Sequence, residues 1–191
     1  MKSKQIRTLT GLALMTAVVV ILQFLGSFIH LGPFSVSLVL IPIVVGAALY
    51  GAGAGGWLGL TFGAVVLISG DASLFMAVNP LAAIVVVLLK GICAGLGAGA
   101  VYRLLEKKNA LAALMAAAFA CPFINTGIFL ASCPLFFWEA VRTLADMMGQ
   151  GDDLVKFLFF GLAGGNFLFE LLLNIVLAPA IVRIIRIGKK K

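Results

Sequence analysis

Apolar positions in this chain fall in long blocks, separated by short polar or glycine-rich breaks. A helix needs about 17–25 such residues to cross a bilayer core of about 30 Å. The blocks predict spans over roughly 7–28, 34–50, 57–69, 79–103, 110–137 and 154–185. The third is short, and the sixth is long enough to tilt or to begin outside the membrane. Between them lie the uncharged loop His30–Ser37 with Gly32-Pro33 as its turn, the glycine-rich turn Gly51–Gly56, and the loop Gly70–Pro80 with Asp71 as its one charge. The linker Leu104–Asn109 follows the fourth span. The segment Trp138–Lys156 carries Glu139, Arg142, Asp146, Asp152 and Asp153, so it is solvated on one side. The predicted fold class is an all-α membrane protein, a bundle of six transmembrane helices forming a single domain over residues 1–191.

Composition agrees. Of 191 residues, 63% are hydrophobic and 11% charged, and the mean hydropathy is +1.20. A soluble domain carries about a quarter charged residues and could not bury this much apolar surface. The first block is too long for the core of a cleaved signal peptide and reads as a retained helix. The net charge of +7 sits at helix ends: Lys2, Lys4 and Arg7, then Lys107 and Lys108, then Arg183, Arg186 and Lys189–Lys191. With six spans, all three groups fall on one side, which places both termini in the cytoplasm. Basic residues so arranged signal topology rather than nucleic-acid binding.

Several chemistries are excluded. There is no G-x-x-x-x-G-K-[ST] to cradle a nucleotide phosphate. One histidine, His30, rules out H-E-x-x-H zinc chemistry, and no serine stands in a G-x-S-x-G elbow. Cys93, Cys121 and Cys133 lie in or beside apolar runs with no C-x-x-C, as small buried residues do. No catalytic residue, metal ligand or cofactor is expected. The two halves show no convincing repeat, which argues against a secondary transporter built from inverted halves.

The polar residues left inside the apolar blocks carry the functional question. Lys90 sits near the middle of the fourth block, too deep to snorkel on a stem of about 6 Å. An ammonium there faces the protein interior and needs a partner. Asn166, Glu170 and Asn174 share one face of the sixth span at i, i+4, i+8 spacing. Two readings stand: Lys90 and Glu170 fix the bundle, or they belong to a polar substrate pocket. Asn125 and Thr126 follow Pro122 in the fifth span, where they can bond a neighbouring helix or touch a ligand. Asn79 is a candidate cap for the fourth span or a pocket residue. Phe34, Phe75, Phe136 and Trp138 form an aromatic belt or a lid on the side opposite the termini. Gly55, Gly59 and Gly63, and Gly91, Gly95 and Gly99, make small-residue stripes suited to close helix packing. Ala13 and Ala17 give an A-x-x-x-A pattern in the first span.

Taken together, ALMTA in the first span, GDASLFMAVNP followed by LLKGICAGLGAG, and CPFINTGIFL in the fifth span resemble one family. It is the substrate-binding S component of energy-coupling factor (ECF) vitamin transporters, in its general, substrate-unassigned branch. The likeness extends over nearly the whole chain. It implies a multi-pass protein of the bacterial cytoplasmic membrane that binds and does not catalyse. Ala13 and Ala17 would contact the membrane-embedded T subunit, and two cytosolic ATPases would complete the complex. A vitamin would enter an outward pocket formed by helices four to six, under the loops His30–Ser37 and Gly70–Asn79. The subunit would then topple to release it inside. The missing nucleotide motif fits that division of labour. On this reading the substrate contacts are Lys90, Asn79, Asn125, Asn166, Glu170, Phe34, Phe75 and Trp138. Lys90 favours a small carboxylate vitamin, pantothenate first. If Glu170 already neutralises Lys90, riboflavin, cobalamin or a modified nucleobase stands equally. A self-sufficient facilitator or exporter, and a membrane scaffold, are the other classes.

Overall fold

The computed structural model describes residues 2–28, 30–31, 34–35, 38–164, 167–173 and 176. Helix α1 runs over Lys2–Gly26. A two-residue antiparallel pair, β1 (His30–Leu31) and β2 (Phe34–Ser35), precedes α2 (Leu40–Tyr50). Then come α3 (Ala52–Ser69), the short α4 (Ser73–Val78), α5 (Pro80–Leu105) and α6 (Ala110–Phe136). Helix α7 (Trp138–Met147) leads to α8 (Leu154–Lys156), which continues into a π-helical stretch, Phe157–Gly164; residues 167–173 are also helical.

Among the described residues, four helices are long and apolar enough to cross a membrane: Gln5–Gly26, Ala52–Ser69, Pro80–Leu105 and Ala110–Phe136. The predicted second span is shorter than expected, because residues 34–35 pair with 30–31 as strand and the helix starts only at Leu40. An aromatic and a serine following Gly32-Pro33 in the sequence suit extended backbone better than a helix start. Helix α2 has 11 residues, about 16 Å at 1.5 Å rise, and is buried from Pro42 to Ala48. The predicted sixth span begins at Leu154 as expected, and its distal part lies outside the described residues.

Two further boundaries move. Of the predicted turn Gly51–Gly56, only Gly51 turns, at φ +96°, and the rest is the first turns of α3. The predicted loop 70–80 contains α4, entered through Gly70 at φ +86°. Positive φ at these two glycines is what an L side chain would resist. The predicted solvated segment folds as α7, which buries Ala140, Val141 and Ala145 and exposes Glu139, Arg142 and Asp146.

The glycine stripes explain the tightest contact in the fold. Helices α3 and α5 cross antiparallel with Gly55 on Gly95, Gly59 on Gly91, and Gly63 on the Val87 carbonyl. A Cβ at Gly55, Gly59, Gly91 or Gly95 would overlap the opposite backbone carbonyl. In lipid, where no hydrophobic effect draws helices together, such close approach supplies the packing attraction. Helix α2 contributes Leu40, Ile43 and Val44 to the main core, alongside Leu58 and Phe62 of α3, Ala94 and Ala98 of α5, and Leu114 of α6. The end of the bundle at α4 and α7 carries Asp71, Glu139, Asp146, Asp152 and Asp153 with Arg142 and Lys156; the other end carries Arg7, Arg103, Lys107 and Lys108 with Glu106.

Helix α5 is started by Asn79, whose Oδ1 accepts from the Ala82 amide at 3.1 Å, with Pro80 in the first turn. That satisfies one of the orphan amides of a helix start, and proline costs nothing there. Asn79→Ala is expected to lower stability by about 1 kcal/mol, with Asn79→Asp close to the parent. Thermal unfolding in detergent measures this; an unshifted alanine variant would show that the cap contributes nothing.

Candidate functional site

Three helices converge on Lys90. From α5 its Nζ lies 5.4 Å from the centroid of Phe129 on α6 and 5.9 Å from that of Phe62 on α3. Both distances are within the range of about 6 Å over which an aromatic face attracts a cation. The side chain is held by position: Gly91, its neighbour, packs directly on Gly59, and Phe62 stands one turn along from Gly59. The Lys90 side chain as a whole is half-buried. Among the described residues, no direct ion pair joins Lys90 to a carboxylate.

Glu170 is 1% exposed. Asn125, one turn from both Cys121 and Phe129, is 5% exposed, and its Oδ1 accepts no hydrogen bond from the described residues. Buried acceptors are nearly always satisfied, so this orphan amide oxygen is unusual.

Above Lys90 the aromatic residues form a stack. Phe75 of α4 meets Phe129 edge-on at 5.3 Å and 88°, and Phe137 at 5.3 Å and 71°. Edge-to-face geometry aligns a positive ring edge with a negative face. Phe75 is 6% exposed and packs with Ala83 and Val86 of α5 and Ala140 of α7. Helix α4 is therefore a cover whose Phe75 rests on the ring that faces Lys90.

The other predicted contacts separate from this centre. Asn79 uses its Oδ1 to cap α5. Trp138 opens α7, partly buried, and Phe136 is 47% exposed. The backbone of Phe34 pairs with Leu31; its side chain, Asn166 and Asn174 lie outside the described residues. Phe62 and Phe129 were not singled out from the sequence. A second polar cluster was missed as well: Gln23 of α1 donates through Nε2 to Asp71 Oδ2 at 2.8 Å, and Ser69 donates to the same oxygen at 3.0 Å. An amide inside an otherwise apolar span was the available signal for Gln23.

An apolar groove of about 330 Å³ lies between α6 and the last helix, lined by Phe123, Thr126, Gly127, Leu130, Phe159, Gly164 and Phe167. Thr126 is on this groove rather than on Lys90. Ala13 and Ala17 are exposed on α1, of whose span only 17% is buried. The three cysteines are free, and among the described residues no group of His, Cys, Asp and Glu could hold a metal ion.

No curated protein and no solved structure matches the chain. The family described as ECF transporter, substrate-specific component, matches it over residues 7–182. With several helices of membrane-spanning length and a family match over most of its sequence, this multi-pass membrane chain belongs to the substrate-specific components of ECF transporters.

Proposed function

We propose that this subunit captures a small carboxylate vitamin, pantothenate first, from outside the bacterial cytoplasmic membrane. It delivers the vitamin inward by toppling with a T subunit and two cytosolic ATPases. Family membership already implies a small-molecule substrate and association with T and ATPase components. The observation that carries the substrate class is Lys90, enclosed between Phe62 and Phe129 with part of its side chain still accessible and no direct ion pair among the described residues. A carboxylate that reached Lys90 would meet an ammonium in low dielectric, where the attraction is several-fold stronger than in water. The Asn125 oxygen supplies an acceptor for a hydroxyl or amide donor on the same ligand. The exposed Ala13 and Ala17 offer a smooth strip of α1 to the T subunit. With the acid-rich end outward, α4 and α7 face the medium from which substrate comes.

Native mass spectrometry of gently purified protein tests this. The expected result is a bound small carboxylic acid, with T and ATPase subunits in the mildest preparations. A neutral bound ligand would overturn the carboxylate assignment and keep the binding role. Solute movement by the lone chain in vesicles would replace the reading with a self-sufficient facilitator.

A further inference from the structure

The cluster of Gln23, Ser69 and Asp71 is not among the substrate contacts named above. Its parts come from different elements. Gln23 is in the last turns of α1 and 1% exposed. Ser69 ends α3, and Asp71 sits in the turn between α3 and α4. One carboxylate oxygen, Oδ2 of Asp71, receives both donors, at 2.8 Å from Gln23 and 3.0 Å from Ser69. Bonds to a charged acceptor are about twice as strong as neutral ones. A buried glutamine in a membrane helix is costly, and Gln23 Oε1 has no partner among the described residues. An apolar residue would pack there without leaving that oxygen unsatisfied. The amide's one visible use is its bond to Asp71.

That bond begins a continuous mechanical path. Asp71 is two residues before α4; α4 carries Phe75; Phe75 packs edge-on against Phe129; and Phe129 faces Lys90. Gly70, in the left-handed region, sets the angle at which the chain leaves α3. We infer that Gln23, Ser69 and Asp71 form a latch that ties α1 to the α4 cover and holds Phe75 down over the Lys90 site. Release of the latch frees the cover, and any displacement of α1 against α3 is felt by the cover through the same bond. The latch rests on the binding role proposed above for what it covers, but its mechanical part stands by itself.

The test is amide hydrogen exchange on the full chain in nanodiscs, comparing the parent with Asp71→Asn, Gln23→Leu and the double variant. Asp71→Asn keeps the shape of the side chain, so it serves even if Gln23→Leu proves poorly folded. Exchange in residues 72–79 is expected to rise by about tenfold or more in each single variant. Residues 24–27 of α1 are expected to loosen in Asp71→Asn, because coupling is reciprocal. The double variant should exceed neither single by much, as partners in one bond do. Unchanged exchange in 72–79, or additive effects, would overturn the latch. The same samples are weighed by native mass spectrometry for a co-purifying small molecule. Loosened α4 with the molecule lost supports the latch as part of capture; loosened α4 with full retention overturns that part. A parent protein carrying no molecule counts against the binding role alone, and exchange then decides the latch.

Discussion

Gly59→Leu is expected to yield no monodisperse folded protein, and Gly91→Ala a protein with a markedly lowered melting temperature. At Gly59 the first added carbon overlaps the Gly91 carbonyl, and at Gly91 it overlaps the Gly59 carbonyl. Overpacking a core costs about 1–3 kcal/mol when side chains can rotate away. Here the obstacle is backbone in a helix, which cannot rotate, so α3 and α5 must part along their length. Such a cost takes a large share of the roughly 5–15 kcal/mol that holds a domain folded. The separation would also carry Phe62 away from Lys90, since both are anchored at this crossing. Gly53→Ala is the control: it lies in the same helix with nothing within 4 Å of the added carbon, and it should be neutral or slightly stabilising. Thermal unfolding and size exclusion in a mild detergent read all three. A Gly59→Leu protein as stable as the parent would mean that the α3–α5 contact does not hold the bundle.

Much of this architecture was legible because membrane helices advertise themselves by block length, and glycine stripes by spacing. Asn79 and the α5 it caps fell where the pattern put them, and so did the facing stripes of α3 and α5. What the pattern hid was local geometry inside breaks. Nothing in GDASLFMAVNP separates a loop from a short helix, since α4 owes its form to Phe75 packing against Phe129 and Phe137. Likewise the pairing of 30–31 with 34–35 involves only two residues on each strand, which a hydropathy window averages away. Lys90 stood out as an intramembrane charge, but its surroundings did not. Phe62 and Phe129 read as ordinary apolar residues among fifteen phenylalanines, and only the crossing of three helices gives them a cation to face. The latch was missed for a related reason: Gln23 and Asp71 are 48 residues apart, and nothing in either segment points to the other.

Lys90→Met is expected to fold and to lose pantothenate by a factor of about 30 to several thousand. The range follows from the cost of about 2–5 kcal/mol for truncating one member of a buried, hydrogen-bonded charge pair. Methionine keeps the length and apolar stem of lysine, so the Phe62 and Phe129 rings keep a neighbour to pack on. Equilibrium binding of labelled pantothenate in nanodiscs gives the affinity, and thermal unfolding the stability. Glu170→Gln separates the two readings of the ammonium. If Lys90 serves the ligand, Glu170→Gln retains binding within a few-fold, while Lys90→Met does not. If Lys90 and Glu170 serve only each other, both variants lose stability together and their effects couple in the double variant. Asn125→Val adds a third axis. Removing an acceptor that no described residue satisfies should leave stability unchanged or raised. Its affinity should fall only if the ligand brings the missing donor. Parent-like affinity in Lys90→Met would remove the ammonium from the site and shift the substrate to a neutral vitamin. Loss in Lys90→Met and Asn125→Val, with Glu170→Gln intact, would identify a ligand that presents a carboxylate to α5 and a hydrogen-bond donor to α6.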